Sequence, residues 1–282
     1  MNWDRAKTML IVCLLALNMF LAAMYMTYDD EYVVTQDDIA VITALLAQQG
    51  ISVAAAVPAG YAPVDQPLLA PASYNTNLLL AAFFADASGI SQTFEFGSRI
   101  FTSPEGRLTV EGDTVVFAPS AGRFAPPSPE EFVRGNTQLF PGFVHAGTYY
   151  IGGAYVTNFF QHYAEHIIAS NRLSFVSREP HGRPHEIIYT FRRPSGFVGV
   201  AQPIISAPQA LFMFKLTSEH SPRPLTVSQI ELIHQLPRES AAALTPAVPY
   251  YRISATHGHY ATPAAPTLIN AVTGEITPGD PP

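Results

Sequence analysis

Cysteine is almost absent from this chain. The single Cys13 excludes an intrachain disulfide and any Cys-rich zinc site, and alone it fixes no redox compartment. Charge is sparse as well: 13% of residues are Asp, Glu, Lys or Arg, the formal net charge is −7, and there is no basic run, which argues against a nucleic-acid partner. No G-x-S-x-G nucleophile elbow occurs. The glycines of GTYYIGGAY have neither a P-loop lysine nor Rossmann spacing. What the chain has instead is apolar and aromatic: 48% hydrophobic residues, 18 Phe and 13 Tyr over 282 positions. Such a chain buries a core, in one large domain or two small ones, and its 25 Pro predict extended loops.

One long uncharged run is present. Thr8 to Tyr28, TMLIVCLLALNMFLAAMYMTY, has no charge over 21 positions. At about 1.5 Å per helical residue it matches the roughly 30 Å of bilayer hydrocarbon. Arg5 and Lys7 precede it, and Asp29, Asp30 and Glu31 follow. The positive-inside rule therefore makes 1–7 a cytoplasmic stub, 8–28 a single transmembrane helix, and everything after it extracytoplasmic. A cleaved signal peptide has a shorter apolar core and small residues at its cleavage site, whereas this run ends in Met-Tyr-Met-Thr-Tyr. A stub of this size holds no catalytic domain, so any inward signal is expected to pass through the helix. Asn18, polar and mid-run, seeks a hydrogen bond on another helix, worth about 0.6–2 kcal/mol, or one within its own. With Leu14, Leu15, Leu21 and Ala22 it forms an expected contact face in the membrane.

Beyond the anchor, the pattern is α+β, with antiparallel sheets and packed helices. TQDDIAVITALLAQQGI (35–51) reads as a helix capped by Thr35, with Ile39, Ile42, Leu45 and Leu46 on one stripe and Gly50 at its end. SQTFEFGSRIFTS and RLTVEGDTVVFAP alternate as strands. NFFQHYAEHIIASNRL and TVSQIELIHQL read as helices. ALFMFKLTS reads as a strand, and HEIIYTFRRPSGFVGVAQPII as a hairpin around RPSG. The Pro-rich 118–130 stretch is a linker candidate. It divides 29–125 from 126–276, and both parts combine helices with strands, as a pair of related subdomains does. Residues 277–282, TPGDPP with Ile276 before them, read as a disordered tail.

HYAEH, at 162–166, matches the H-x-x-E-H spacing of inverted zinc peptidases. On the expected helix, Phe159, Phe160, Tyr163 and Ile167 share one face, while His162 and Glu165 project away from it. A zinc site requires a third ligand, for which Glu231 is the best candidate. The plainer reading is a solvated polar face. His257 and His259 of HGH make two ligands at most, and an exposed hairpin is the plainer reading there too.

Taken together, the two ends resemble a known family. MNWDRAKTMLIVCLLALNMFLA, through Trp3, Arg5, Lys7, Asn18 and Phe20, is similar to the opening of YycI-type regulatory proteins of Gram-positive bacteria. The closing PYYRISATHGHYATPAAPTLINAVTGEI resembles that family's last segment through Asn270, Ala271, Gly274 and Glu275, a pattern shared with PepSY-like modules. Tyr250 and Tyr251 stand where the family often has Trp, and residues 55–240 carry almost no match. The resemblance implies a role without enzymatic activity or cofactor. Such proteins sit in the membrane beside the essential cell-wall-controlling sensor histidine kinase YycG (WalK). They pair with the single-pass protein YycH and modulate the kinase, usually by restraint. A coupling of about 1–3 kcal/mol shifts such an equilibrium about 5–150-fold. In AVTGEI, Gly274 is expected at positive φ, with Asn270 bracing the turn. Two other classes stay open: an anchored binding module for a cell-wall fragment or peptide, suggested by GTYYIGGAY, and an anchored zinc hydrolase using His162, His166, Glu165 and Glu231.

Overall fold

Thr35 starts the first helix, α1 (Gln36–Ala47). Its hydroxyl accepts from the Asp38 amide, and the Asp38 carboxylate accepts from the Thr35 amide, which satisfies two donors that a helix start leaves orphaned. Gly50, at φ 72°, ends the segment and turns the chain into β1 (Ile51–Val53). Ile42 and Leu46 of the expected stripe are buried, while Leu45 is 39% exposed.

The structure is a computed structural model and describes residues 14, 17–19, 34–59, 62–86, 89–120, 128–180, 182–218, 224–237, 243–258 and 265–278. Of the expected membrane segment, Leu14, Leu17, Asn18 and Met19 are therefore seen, all helical and exposed. The remainder of 1–28, including Leu15, Leu21 and Ala22, lies outside the described residues. Among those described, no helix is long and apolar enough to cross a membrane.

After β1 come β2 (Pro67–Ala70), α2 (Thr76–Phe83), β3 (Ser91–Glu95), β4 (Ser98–Ser103), β5 (Gly106–Glu111), β6 (Thr114–Pro119) and α3 (Pro129–Gly135). They are followed by β7 (Phe143–Ile151), β8 (Ala154–Tyr163), β9 (His166–Ser177), β10 (Pro184–Thr190), β11 (Arg193–Phe197) and α4 (Ala207–Thr217). Last come β12 (Leu225–Gln235), β13 (Thr245–Pro246), β14 (Val248–His257), β15 (Thr267–Asn270) and β16 (Ile276–Pro278). The fold is thus mixed α+β and mostly antiparallel. Thirteen strands join one branched sheet in the order β16-β15-β14-β12-β9-β10-β6-β5-β4-β3, with β8 and β7 added beside β9 and β1 beside β12. A smaller sheet runs β11-β2-β13.

Two large apolar cores divide this sheet into lobes, and two smaller clusters, one of Phe160, Ala169, Ile233 and Leu268 and one of Leu69, Ile168 and Ala247, lie where β9 meets β12. The middle lobe is aromatic: Phe83, Phe117, Phe132, Phe140, Phe175 and Tyr189 pack together under α2 and α3, with Phe140 and Tyr189 edge-on at 4.9 Å. The other lobe is built from both ends of the described chain. Ile42, Leu46 and Ile51 pack with Leu211, Phe214, Ile253 and Ile269, so α1 and α4 lie on β1, β12, β14 and β15. Ser52 and Thr226, 174 positions apart, meet hydroxyl to hydroxyl at 2.9 Å. The segments on either side of 125/126 share the aromatic core, and β6 pairs with β10 across that point.

Several elements differ from the sequence expectation. NFFQHYAEHIIASNRL is no helix; it is the β8–β9 hairpin, and TVSQIELIHQL is β12. β8 and β9 are buried on both faces over much of their length, and β12 is so at Ile233 and His234, so the alternation that marks a strand is lost there. Adjacent Asn158, Phe159, Phe160 and Gln161 are all buried. ALFMFKLTS is the helix α4, begun by a capping box between Ser206 and Gln209 with Pro208 in its first turn. RPSG is no hairpin turn, because β10 and β11 belong to different sheets. Thr277 and Pro278, expected in a loose tail, pair with Leu268 and Thr267; residues 279–282 lie outside the described residues.

Candidate functional site

The zinc-like motif sits at the tip of the β8–β9 hairpin. Ala164, at φ 51°, and Glu165 form a two-residue turn, with Tyr163 opposite His166 and His162 opposite Ile167. Residues directly opposite share a face of the ladder, so His166 projects from one side and His162 from the other. The two imidazoles cannot converge on one ion. Glu231 is not beside them but pairs with Arg252, and the described residues hold no cluster of three metal-ligating side chains. His259 lies outside the described residues.

The chemically dense region is where the lobes meet. β12 contributes Ile233 and His234 to a short parallel contact with Ile167 and Ile168 of β9. On one face of the joint Arg252 reaches out of β14. Its Nη1 donates to Glu231 Oε2 at 2.8 Å and its Nη2 donates to the Ala146 carbonyl at 2.8 Å. The guanidinium also lies over the rings of Tyr149 and Phe160, at 5.2 and 5.0 Å. Arg252 is only 1% exposed, and burial lowers its pKa to about 10, so it remains a cation at neutral pH. Burial pushes the Glu231 carboxyl up, and the Gln229 amide, donating at 2.6 Å, pulls it back.

Ala146 is presented to Arg252 by a bulge. The β7–β8 register shifts between His145 and Gly147, and Gly147 adopts φ 134°. The freed Ala146 carbonyl accepts from Tyr149 Oη at 3.0 Å as well as from Arg252. A Cβ on Gly147 would lie 2.4 Å from Tyr149 Oη, so only glycine fits.

On the other face of the joint, His234 is 1% exposed and its Nε2 lies 3.1 Å from the Asp65 carbonyl. A carbonyl only accepts, so Nε2 carries the proton. Nδ1 is buried and makes no hydrogen bond. His166 packs edge-on against this ring at 4.8 Å and also touches Phe197, which stacks on Tyr163 at 5.6 Å.

The closing turn follows β15. Asn270 Oδ1 accepts from the amides of Val272 and Thr273 at 2.9 and 3.1 Å, Gly274 adopts φ 74°, and the Asn270 amide donates to the Glu275 carbonyl. All three residues here act on the backbone, in a turn packed near Met213 and Ile205.

An open groove of about 420 Å³ runs between α1 and α4. Val34, Val41, Ile42, Leu45, Phe212 and Met213 line it, and Asp38 stands at its α1 end. Val41 is 61% exposed and Phe212 is 41% exposed, so the described residues leave the groove as an uncovered apolar surface. Sequence reading named Glu231 only as a candidate third metal ligand and missed Arg252, His234 and Gly147. A lone Arg among apolar residues in YYRIS was the available signal for a buried cation.

No protein-family model matches the chain, and no curated protein matches it in sequence. Among solved structures it is similar to an uncharacterised protein from Eubacterium rectale, with a TM-score of 0.50 and 10% identity over 82% of this chain and 90% of that one. The C-terminal domain of YpeB from Bacillus megaterium is a distant structural neighbour, with a TM-score of 0.40 and 13% identity over 75% of this chain and 100% of that domain. At such identity the first likeness speaks for the fold alone.

Proposed function

We propose that this protein is a membrane-anchored, extracytoplasmic regulator that works by protein contact and not by catalysis. The observation that carries the reading is the groove between α1 and α4, left uncovered by the described residues, which opens at Val34, six residues beyond the end of the apolar run at Tyr28. A surface of this kind at the membrane exit suits a neighbouring segment that emerges from the same bilayer. The exposed helical residues Leu14, Leu17, Asn18 and Met19 support an anchor whose side chains face lipid or another helix. The opposed directions of His162 and His166 weigh against zinc hydrolysis.

By the resemblance of its ends, the partners are the sensor histidine kinase YycG (WalK) and a YycH-type single-pass protein, and the effect is restraint of the kinase. Packing of the membrane helix through Asn18 and docking of the outer lobe act in concert. A coupling of about 1–3 kcal/mol between them and the kinase suffices for a graded output. The test is affinity isolation of the full chain from native membranes, with Asn18→Leu and Phe212→Glu as comparison variants. The kinase and the paired protein are expected to co-purify, with weaker recovery from both variants. Kinase output that stays unchanged when the gene is deleted overturns the reading.

A further inference from the structure

The joint between the lobes has two faces, and they differ in what they can tolerate. The Arg252 face is sealed by a charge pair. On the His234 face two imidazoles meet beside an apolar cluster of Leu69, Ile168 and Ala247, a setting with no place for a charge on His234. We propose that the His166–His234 contact is an acid-sensitive latch: neutral, it holds β9 against β12, and on proton uptake it is expelled and the lobes part.

The argument starts from hydrogen bonding. Nε2 of His234 already gives its proton to the Asp65 carbonyl. A second proton must go to Nδ1, which is buried and makes no hydrogen bond. The Ile167 backbone can accept a hydrogen bond from that proton, but the charge itself appears in a ring that is 1% exposed, where water cannot reach it. Its nearest titratable neighbour is His166 on β9, whose own protonation places a like charge 4.8 Å away, centroid to centroid. The other elements packed around the ring bring no opposite charge to it. The Asp65 segment presents its carbonyl while its carboxylate side is exposed, and β11 presents Phe197. β14 places Pro249 opposite His234. β8 ends in Tyr163, and Glu165 in the hairpin turn is exposed. Among the described residues no carboxylate forms an ion pair with either imidazole.

These influences lower the His234 pKa to about 4, burial first and the His166 charge second, against the weaker pull of the Asp65 and Ile167 carbonyls. In an opened joint the same ring is solvated and titrates near its ordinary value of 6.5. The open state therefore binds more protons between those two values. The closed joint is fully favoured above about pH 6.5 and loses that advantage as the pH falls toward 4. Linkage gives an open population about 30-fold larger at pH 5 than at pH 7.5.

The experiment is hydrogen exchange on the full chain in nanodiscs, corrected for the intrinsic pH dependence of exchange. It compares the amides of 166–168 and 233–234 with those of the aromatic core. The joint amides are expected to open about 30-fold more readily at pH 5 than at pH 7.5, with the core amides unmoved. His234→Gln keeps a donor for the Asp65 carbonyl and removes the titration, so its joint is expected to change less than about threefold. His166→Gln, at a half-buried position, serves if that variant does not fold, and is expected to weaken the acid response. A wild-type joint indifferent to pH, or one that responds equally in both variants, overturns the latch. The inference stands apart from the partner assignment: a joint that opens in acid while kinase output ignores this protein sinks the regulatory reading and leaves the latch intact.

Discussion

Arg252 and Glu231 face each other across β14 and β12, guanidinium to carboxylate at 2.8 Å, and the arginine alone reaches on to the opposite lobe. The pair is asymmetric, with side-chain exposures of 2% for Arg252 and 26% for Glu231. The cation is the element that cannot be left alone.

Glu231→Leu is therefore expected to destabilise the fold by about 3 kcal/mol, because it strands a buried guanidinium. Adding Arg252→Met fills the same space without charge and is expected to restore most of that loss. Urea unfolding of the two single variants and the double variant checks this. A double variant no more stable than Glu231→Leu alone would contradict the account.

Gly147→Ala is expected to cost about 2–3 kcal/mol, from a backbone angle that alanine resists and a methyl group driven onto Tyr149. Tyr149→Phe removes the nearest of the atoms the methyl meets and leaves Cζ at 2.8 Å, so it relieves part of the clash. The double variant should thus be more stable than the sum of the single losses predicts. Thermal midpoints of the three proteins decide the matter, and simple additivity would sink the steric explanation.

Phe96 gives a prediction of opposite sign. It occupies the first position of the two-residue β3–β4 turn at φ 49°, next to Gly97 at φ 87°, and its side chain is fully exposed. A bulky aromatic is a poor choice for a left-handed position, where Asn-Gly is preferred. Phe96→Asn is expected to raise stability by about 1 kcal/mol, since no packing is lost. An unchanged or lower unfolding midpoint would show that the ring contributes something in the folded chain.

The hairpin placement of HYAEH sets the expectation for metal. Purified protein loaded with zinc and dialysed is expected to hold no stoichiometric ion, and His162→Ala is expected to leave its metal content unchanged. Elemental analysis reads this directly. One zinc per chain, lost on that substitution, would overturn the strand geometry drawn for these residues.

The legible parts of the fold were those governed by local chemistry. Thr35 with Asp38, Gly50, and the alternating strands on either side of EGD each announce their conformation within a few residues. The illegible parts are those where burial on both faces erases the period. β8, β9 and β12 carry Phe159, Phe160, Ile167, Ile168, Ile233 and His234 with no polar side to betray a strand. α4 was misread because its defining signal, Ser206 three residues before Gln209, lies ahead of the apolar run and not within it. The site escaped for a related reason. Arg252, His234 and Ala146 come from strands far apart in sequence, and no motif connects residues that only a branched sheet brings together.

The lobe that holds α1 is closed by β12, β14 and β15, so its first residues wait for its last. In a chain made from its N-terminus, the core around Ile42 and Leu46 stays incomplete until Ile253 and Ile269 have followed. The aromatic lobe, encoded in between, completes itself earlier. Biosynthesis thus leaves an apolar helix uncovered beside the point of exit for most of the chain's emergence, and a chaperone or a ready companion has that interval in which to act.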